Sequence, residues 1–386
     1  MRAPILRSPS LPMTAVQLRD DVGLESLPPP TWDALSGGEP LVSHAFLSAL
    51  HETGCASAAT GWQPRYVTAW QGAALVGALP LYAKTHSYGE YVFDWGWADA
   101  YRRHGRRYYP KLVVAIPFTP VTGRRMLAAE SLTRRALLEH ATALLAAERY
   151  SSLHVLFAEP EEAAEGRGAG MIAREGIQFH WTNPGYHDFG DYLAALNHEK
   201  RKKVKQERRK LAAEGVTFVR KTGREITFAD WSFFYRCYER TYRAHHSTPY
   251  LTLEFFQRIG EALVDHMLLV MGMRDGRPLC AALDVFTRDR LWGRYWGTQH
   301  FVSGLHFEAC YYQAIEFCIE RGIRFFEGGA QGVHKLARGL LPIPTYSLHA
   351  IADPDFAEAI AAYCARERAD IAHSLDELNE SSPFKE

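Results

Sequence analysis

A net charge is missing from this chain of 386 residues: 44 basic and 44 acidic side chains cancel. Net charge therefore gives no argument for a nucleic-acid partner, although local patches can still act. A disulfide or zinc framework is missing too. The six cysteines, Cys55, Cys237, Cys280, Cys310, Cys318 and Cys364, are scattered, with no CxxC pair and no Cys/His cluster at zinc spacing. That pattern predicts reduced thiols in a cytoplasmic protein and no bound metal. No stretch reaches ~18 uninterrupted apolar residues, so no membrane span is expected. The start, MRAPILRSPSLPM, has three prolines and no continuous apolar run. It does not read as a signal peptide, and residues 1–30 are expected to form a disordered leader. Neither GxSxG nor GxxxxGK[ST] occurs. This excludes the nucleophile elbow of α/β-hydrolases and the phosphate cradle of P-loop enzymes.

What is present is an ordinary soluble composition, 47% hydrophobic and 23% charged, in a chain long enough for two domains. The two halves share an order of elements. Trp62 to Thr85 reads as two strands around the turn signal Gln71-Gly72. A helix over 131–149 follows, then the strand SSLHVLFAE. Later, HMLLVMGMRDGRPLCAALDVFTRDRLWGRYWGTQ repeats the hairpin, with Asp275-Gly276 turning the first pair and Arg288-Asp289-Arg290 leading into a third strand. A helix over 306–321 follows, ended by Gly322, then the strand IRFFEG. Hairpin, helix, strand, twice, predicts an α+β fold of mixed, largely antiparallel sheets flanked by helices. It resembles two tandem GNAT-like (acyl-CoA N-acyltransferase fold) domains, placed at 31–165 and 166–350, with a C-terminal helix and tail at 351–386. In the second helix Phe307, Cys310, Tyr311, Ala314 and Cys318 have the spacing of one buried stripe. Glu308 and Tyr312 fall on another face.

Three segments carry functional signals. HEKRKKVKQERRKLAAEG at 198–215 predicts a helix with Lys200, Arg201, Lys202, Lys203, Lys205, Arg208, Arg209 and Lys210 on it. It is either a solvated face or a phosphate-binding surface, for tRNA, a nucleotide-sugar diphosphate or an anionic lipid. The long insert of the first half, between Ser87 and Glu130, alternates aromatics with charges, including Asp94, Trp95 and Asp99. It suits a cleft for a mostly polar, partly flat ligand, or a domain interface. FFEGGAQGVHKLARGLLP, from Phe325, delivers Glu327 to a strand end. Gln331, His334, Lys335 and Arg338 follow within eight residues.

DWGWADAY, YYPKL, PFTPVTGRRML, LHFEACYYQAIEF and GAQGVHKLARGLLP together resemble the FemAB-like family of peptidoglycan biosynthesis/recognition, within the GNAT superfamily. The resemblance spans about Leu41 to Arg366. It implies an acyl or aminoacyl transferase acting on an amine acceptor, such as a small molecule or a cell-wall precursor peptide. The donor would be aminoacyl-tRNA or acyl-CoA, and no cofactor would be tightly bound. The family pattern would place Glu before the histidine; Val333 stands there, so no general base is expected at that position. Acyl transfer to an amine needs a deprotonated amine, a positioned donor and groups for the developing oxyanion. His334, Gln331 and Glu308 are then the catalytic candidates, with His334 favoured for proton transfer by its unperturbed pKa of ~6.5. Tyr312, Glu327, Lys335, Arg338, Asp94, Trp95 and Asp99 are candidates for substrate binding, and Lys200, Arg201, Lys202 and Lys203 for phosphate. A non-catalytic binding protein on the same double shell is the competing class. Before His306, GTQHFVSGL lacks a pyrophosphate-binding glycine pattern, which counts against CoA in the second half.

Overall fold

The computed structural model describes residues 16–329 and 332–385. Its element order repeats. In the first half, strands Val67–Gln71 and Ala74–Leu79 form an antiparallel hairpin. Beyond Pro80 the chain continues as Leu81–Lys84, pairs with Lys111–Val114, crosses over through helix Ser131–Glu148 and returns as Ser152–Ala158. This last strand runs parallel to Lys111–Val114, with Val113 opposite His154. In the second half Met267–Arg274, Arg277–Phe286 and Arg290–Thr298 form a meander. Asp275 and Gly276 both take positive φ, 52° and 71°, as a two-residue turn matched to strand twist requires. The crossover leads to Phe325–Glu327, again parallel to its predecessor, with Leu291 opposite Phe326. Each half is therefore an antiparallel meander closed by one parallel strand after a helix. This is the GNAT arrangement, and it occurs twice.

The halves are joined edge to edge in an eleven-stranded sheet. At the join the strand order is Phe325–Glu327, Ile172–Thr182, Leu341–Ile351, Ser152–Ala158. The last strand of each half thus lies beside a strand of the other. Gln17–Arg19, Val67–Gln71, Ala74–Leu79 and Leu127–Ala128 make a separate four-stranded sheet. One core cluster runs through both halves, from Trp32, Leu47 and Trp62 to Phe234, Phe256 and Leu283. A second lies on the opposite face of the second half, under the crossover helix and the basic helix His198–Ala213. Strand Arg277–Phe286 shows the alternation that feeds both: Ala281, Leu283 and Val285 face the first cluster, Cys280 and Ala282 the second.

The second crossover departs from the single buried stripe that its periodicity predicts. It consists of Leu305–Phe307, a π turn Glu308–Tyr312 and Gln313–Arg321. The extra residue per turn shifts the register. The basic helix and the short helix Val333–Arg338 cover the face that the periodicity leaves free. Glu308, Tyr311, Tyr312, Ala314 and Cys318 are all buried, while Phe307 and Cys310 are only half-buried. Among the described residues no helix is long and apolar enough to cross a membrane.

Candidate active site

Parallel pairing in the second half ends at Trp292 opposite Glu327. Beyond that point the two strands diverge, and a cleft of about 520 Å³ opens between them. Gly293, Arg294, Tyr295 and Trp296 line one side, Gly328 and Gly329 the other. A bulge between Leu283 and Asp284 sets Arg294 out of register at this point. Bulges re-aim side chains next to binding sites. The walls come from both faces of the sheet. On the crossover side stand Asp284, His306, Cys310, Tyr311, His334 and Lys335. On the other stand Tyr238, Thr241 and Tyr242 of helix Phe228–Ala244, with Tyr91 and Pro120 from the first half. Gly297 lets that helix approach closely, since a Cβ there would stand 2.0 Å from the Cys237 carbonyl oxygen. Thr241 fixes the contact by donating its hydroxyl to the Trp296 carbonyl at 3.0 Å.

The corresponding divergence in the first half is filled by the chain itself. Past Val155, the Gly123 amide donates to the Phe157 carbonyl at 3.1 Å. The buried Arg125 guanidinium donates from Nε to the Leu156 carbonyl at 2.8 Å and from Nη2 to the Val121 carbonyl. Glu162 holds the segment by accepting the Arg125 and Met126 amides. Of the two gaps the fold creates, the second is the one that can receive a ligand.

His334 stands at the rim, exposed, with Nε2 3.1 Å from the Tyr311 hydroxyl and its ring 5.6 Å from that of Phe307. Partial burial and the nearby Arg338 and Lys335 charges lower its pKa, so it is neutral near pH 7. His306, 6.0 Å away ring to ring, is pushed down to about 4, chiefly by burial. Lys335 is buried, donates Nζ to the Gly329 carbonyl at 2.6 Å, and is brought down to about 8 by burial. The cleft thus holds two neutral imidazoles and one ammonium of reduced pKa.

The remaining sequence candidates fall outside the cleft lining. Arg338, Glu207 and Tyr312 form a buried cluster behind it. Arg338 Nη2 donates to Glu207 at 2.9 Å, and the Tyr312 hydroxyl donates to the same carboxylate at 2.5 Å. Arg338 also lies over the Phe307 ring at 3.4 Å and donates to the His334 carbonyl at 2.8 Å. This cluster fixes the short helix that carries His334. Glu308 accepts from Arg208 of the basic helix at 3.0 Å and from Gln313 at 2.8 Å. Burial raises its pKa, with Arg208 opposing. Glu327 lies buried beneath the cleft against Arg290, and burial pushes it up to about 7. Asp94 is buried with Lys111 and Tyr108 in the first half. Burial opposes its ionisation, but Lys111 and His154 outweigh it and hold the carboxyl below the ordinary range. Trp95 and Asp99 sit on the helix Trp95–Arg103, Trp95 40% exposed and Asp99 paired with Arg102 and Arg103. The insert reaches the cleft through Tyr91 and Pro120 instead. Lys202 and Lys203 are exposed, Lys200 and Arg201 half-exposed, all at the start of the basic helix. Gln331 lies outside the described residues.

Asp284 and the cleft tyrosines Tyr238 and Tyr242 lie in none of the sequence motifs. One signal was available: Asp284 is the single charge within PLCAALDVF, a strand otherwise apolar and buried. The π turn at Cys310 and Tyr311, of a kind frequent at functional sites, leaves no such mark.

A double GNAT-like shell with one open interstrand cleft defines this molecule as a member of the acyltransferase-fold class. The chain belongs to the FemAB-like family, described as peptidoglycan biosynthesis/recognition, whose pattern matches residues 23–386. Among solved structures it is similar to FemX, with a TM-score of 0.55 and 12% identity over 87% of this chain and 98% of that one. It also resembles a tandem GNAT protein from the clavulanic acid biosynthesis pathway (TM-score 0.45, 12% identity, 88% and 99% covered). A third is L-PGS from Bacillus licheniformis (0.46, 10%, 65% and 82%). No curated protein sequence matches the chain.

Proposed function

We propose that this protein transfers an acyl or aminoacyl group to an amine acceptor, with a peptidoglycan-precursor peptide as the acceptor its family suggests. The observation that carries this is the interstrand cleft with His334 and Lys335 on it. Acyl transfer to an amine needs three things from a protein: positioning, a proton acceptor, and donors for the oxyanion. A neutral His334 takes the proton that the attacking amine releases and returns it to the leaving group, the ribose hydroxyl of the tRNA or the thiol of CoA, as the donor's acyl–oxygen or acyl–sulfur bond breaks. The Lys335 ammonium, held over Gly329, faces the carbonyl oxygen as its charge develops. Exposed backbone of Gly293 to Trp296, beyond the end of parallel pairing, holds the acyl chain. The basic helix packs behind this site through Arg208 and Glu308, and the lysines of its first turns favour a donor with a polyphosphate or nucleic-acid tail, aminoacyl-tRNA foremost.

The test is a transfer assay read by mass spectrometry. Purified protein is mixed with a muramyl-pentapeptide precursor and either a mixed pool of aminoacyl-tRNAs or acetyl-CoA. Gain of one aminoacyl mass on the precursor is expected with the tRNA pool, and its loss in the His334→Ala variant. Transfer from acetyl-CoA alone would replace the donor assignment. Absence of any transfer would overturn the proposal.

A further inference from the structure

Asp284 is an anomaly among the buried carboxyls. Glu90, Asp94, Glu162, Asp230, Glu308 and Glu327 each accept at least one hydrogen bond. Asp284 is 2% exposed, and no hydrogen bond or ion pair reaches it among the described residues. Its Oδ2 is buried without a partner. The cations of the cleft lining do not pair with it: Lys335 donates to Gly329, and Arg294 donates from Nη2 to the Phe118 carbonyl at 2.9 Å while its Nε stays without a partner. Burial alone pushes this carboxyl well above the ordinary range, so without a cation it stays protonated, a buried polar group with no partner that costs stability and that an apolar side chain could replace; a bound cation would draw it into its charged form. Yet the group lines the cleft, opposite Gly293, whose missing side chain leaves the carboxyl open to the gap.

We infer that Asp284 receives the α-ammonium group of an aminoacyl donor, so that the cleft selects aminoacyl over simple acyl groups. This rests on the transferase reading above, and it adds the residue that reads the donor's amine. A compact cation is what the position lacks: one carboxyl, with Tyr295, Trp296 and Tyr311 around the same cleft to offer ring faces. A metal ion would need more ligands than one carboxyl, and no group of three His, Cys, Asp or Glu side chains stands together among the described residues. The ammonium belongs to the donor and not to the acceptor. The acceptor amine must lose its proton to attack, and a carboxylate beside it would hold that proton on. The donor's α-amine does not react, and gains from staying charged. Its placement agrees with the basic helix. Asp284 lies on the same face of the sheet as His198–Ala213, whose Val204 and Leu211 pack in one cluster with Ala282, beside Asp284, and with Ala309. A donor whose anionic tail lies along that helix brings its aminoacyl end to this side of the gap.

The test is calorimetric titration of wild type and Asp284→Asn with alaninamide, serinamide and lysinamide, stable stand-ins for aminoacyl esters, and with their N-acetyl forms. Wild type is expected to bind at least one free amine at least about tenfold more tightly than its N-acetyl form, the worth of a charge-assisted hydrogen bond. Asp284→Asn should abolish that preference while melting at or above the wild-type temperature. Equal binding of both forms by wild type, no binding of any free amine, or a preference that survives in Asp284→Asn would overturn the inference. The wild-type comparison decides even if the variant does not fold. Selective binding without transfer to any precursor would remove the transferase proposal alone. Equal transfer rates from aminoacyl-tRNA and N-acetyl-aminoacyl-tRNA would remove this inference alone.

Discussion

His334 can accept a proton only while its ring is neutral, and its surroundings keep it so. Burial with Arg338 and Lys335 moves its pKa below the ordinary histidine value. The rate of transfer should therefore be flat near neutrality and fall as pH drops through a value under ~6.5. Lys335 sets the other limb. Its role needs the ammonium form, which burial surrenders at about 8, so activity should fall as pH rises past that point. A bell-shaped profile of kcat/KM with an alkaline limb near ordinary lysine values would remove Lys335 from this role. His334→Ala should cost about 10²–10⁴-fold in rate with little change in melting temperature, because the ring sits exposed at the rim. A variant at full rate would leave the substrate to lose its own proton. His334 and Lys335 were legible because they follow a strand and a glycine turn in one short motif. Asp284 was not: a lone acid in a strand has no partner at readable spacing, and only the cleft gives it meaning.

At the scale of elements, the basic helix has two ends with different work. Its later turns are structural. Arg208 pairs with Glu308 and Glu316, and Glu207 pairs with the 2%-exposed Arg338. Glu207→Gln leaves that guanidinium buried without its counter-ion and should cost about 3 kcal/mol of stability, seen as a drop in Tm. No change in Tm would mean that Tyr312 and the Phe307 ring suffice to hold Arg338. In the first turns Lys202 and Lys203 are exposed, and Lys200 pairs with its neighbour Glu199 at 3.0 Å. Changing Lys200, Arg201, Lys202 and Lys203 together to Gln should weaken donor binding at low salt, and the loss should shrink as salt rises. Unchanged binding at low salt would reduce the run to a solvated face. The sequence showed that this helix exists and where it ends, through Val204, Leu211 and Gly215. Its charge run could not show which basic residues would be spent on Glu308 and Glu316, acids more than 90 residues away. Nor did the 3.6-residue period betray the π turn at Glu308–Tyr312, since an inserted residue leaves the same letters in place and only moves their faces.

In the whole molecule the repeat of element order read from the sequence becomes two meanders, each closed by a parallel strand. The pairing at their join could not be read, because strands more than 140 residues apart leave no local pattern. It has a thermodynamic consequence. Leu341–Ile351 lies between Ile172–Thr182 and Ser152–Ala158, pairing with the first from Leu341 to His349 and with the second from Tyr346 to Ile351. Removing it would expose unpaired backbone on both sides at once. A shared core from Trp32 to Leu283 reinforces the coupling. Two-domain chains of this size commonly unfold in separate steps; this one should unfold in a single calorimetric transition, with the van't Hoff enthalpy equal to the measured one. We propose that the boundary near residues 165 and 166 divides repeat units and not folding units. A fragment comprising residues 16–165 should accordingly fail to give a cooperative melt, since Ser152–Ala158, wholly buried in the full chain, would keep Lys111–Val114 on one side but lose Leu341–Ile351 on the other and present an open edge. Two resolved transitions in the full chain, or a fragment that melts cooperatively on its own, would show that Leu341–Ile351 docks late onto a first half already folded.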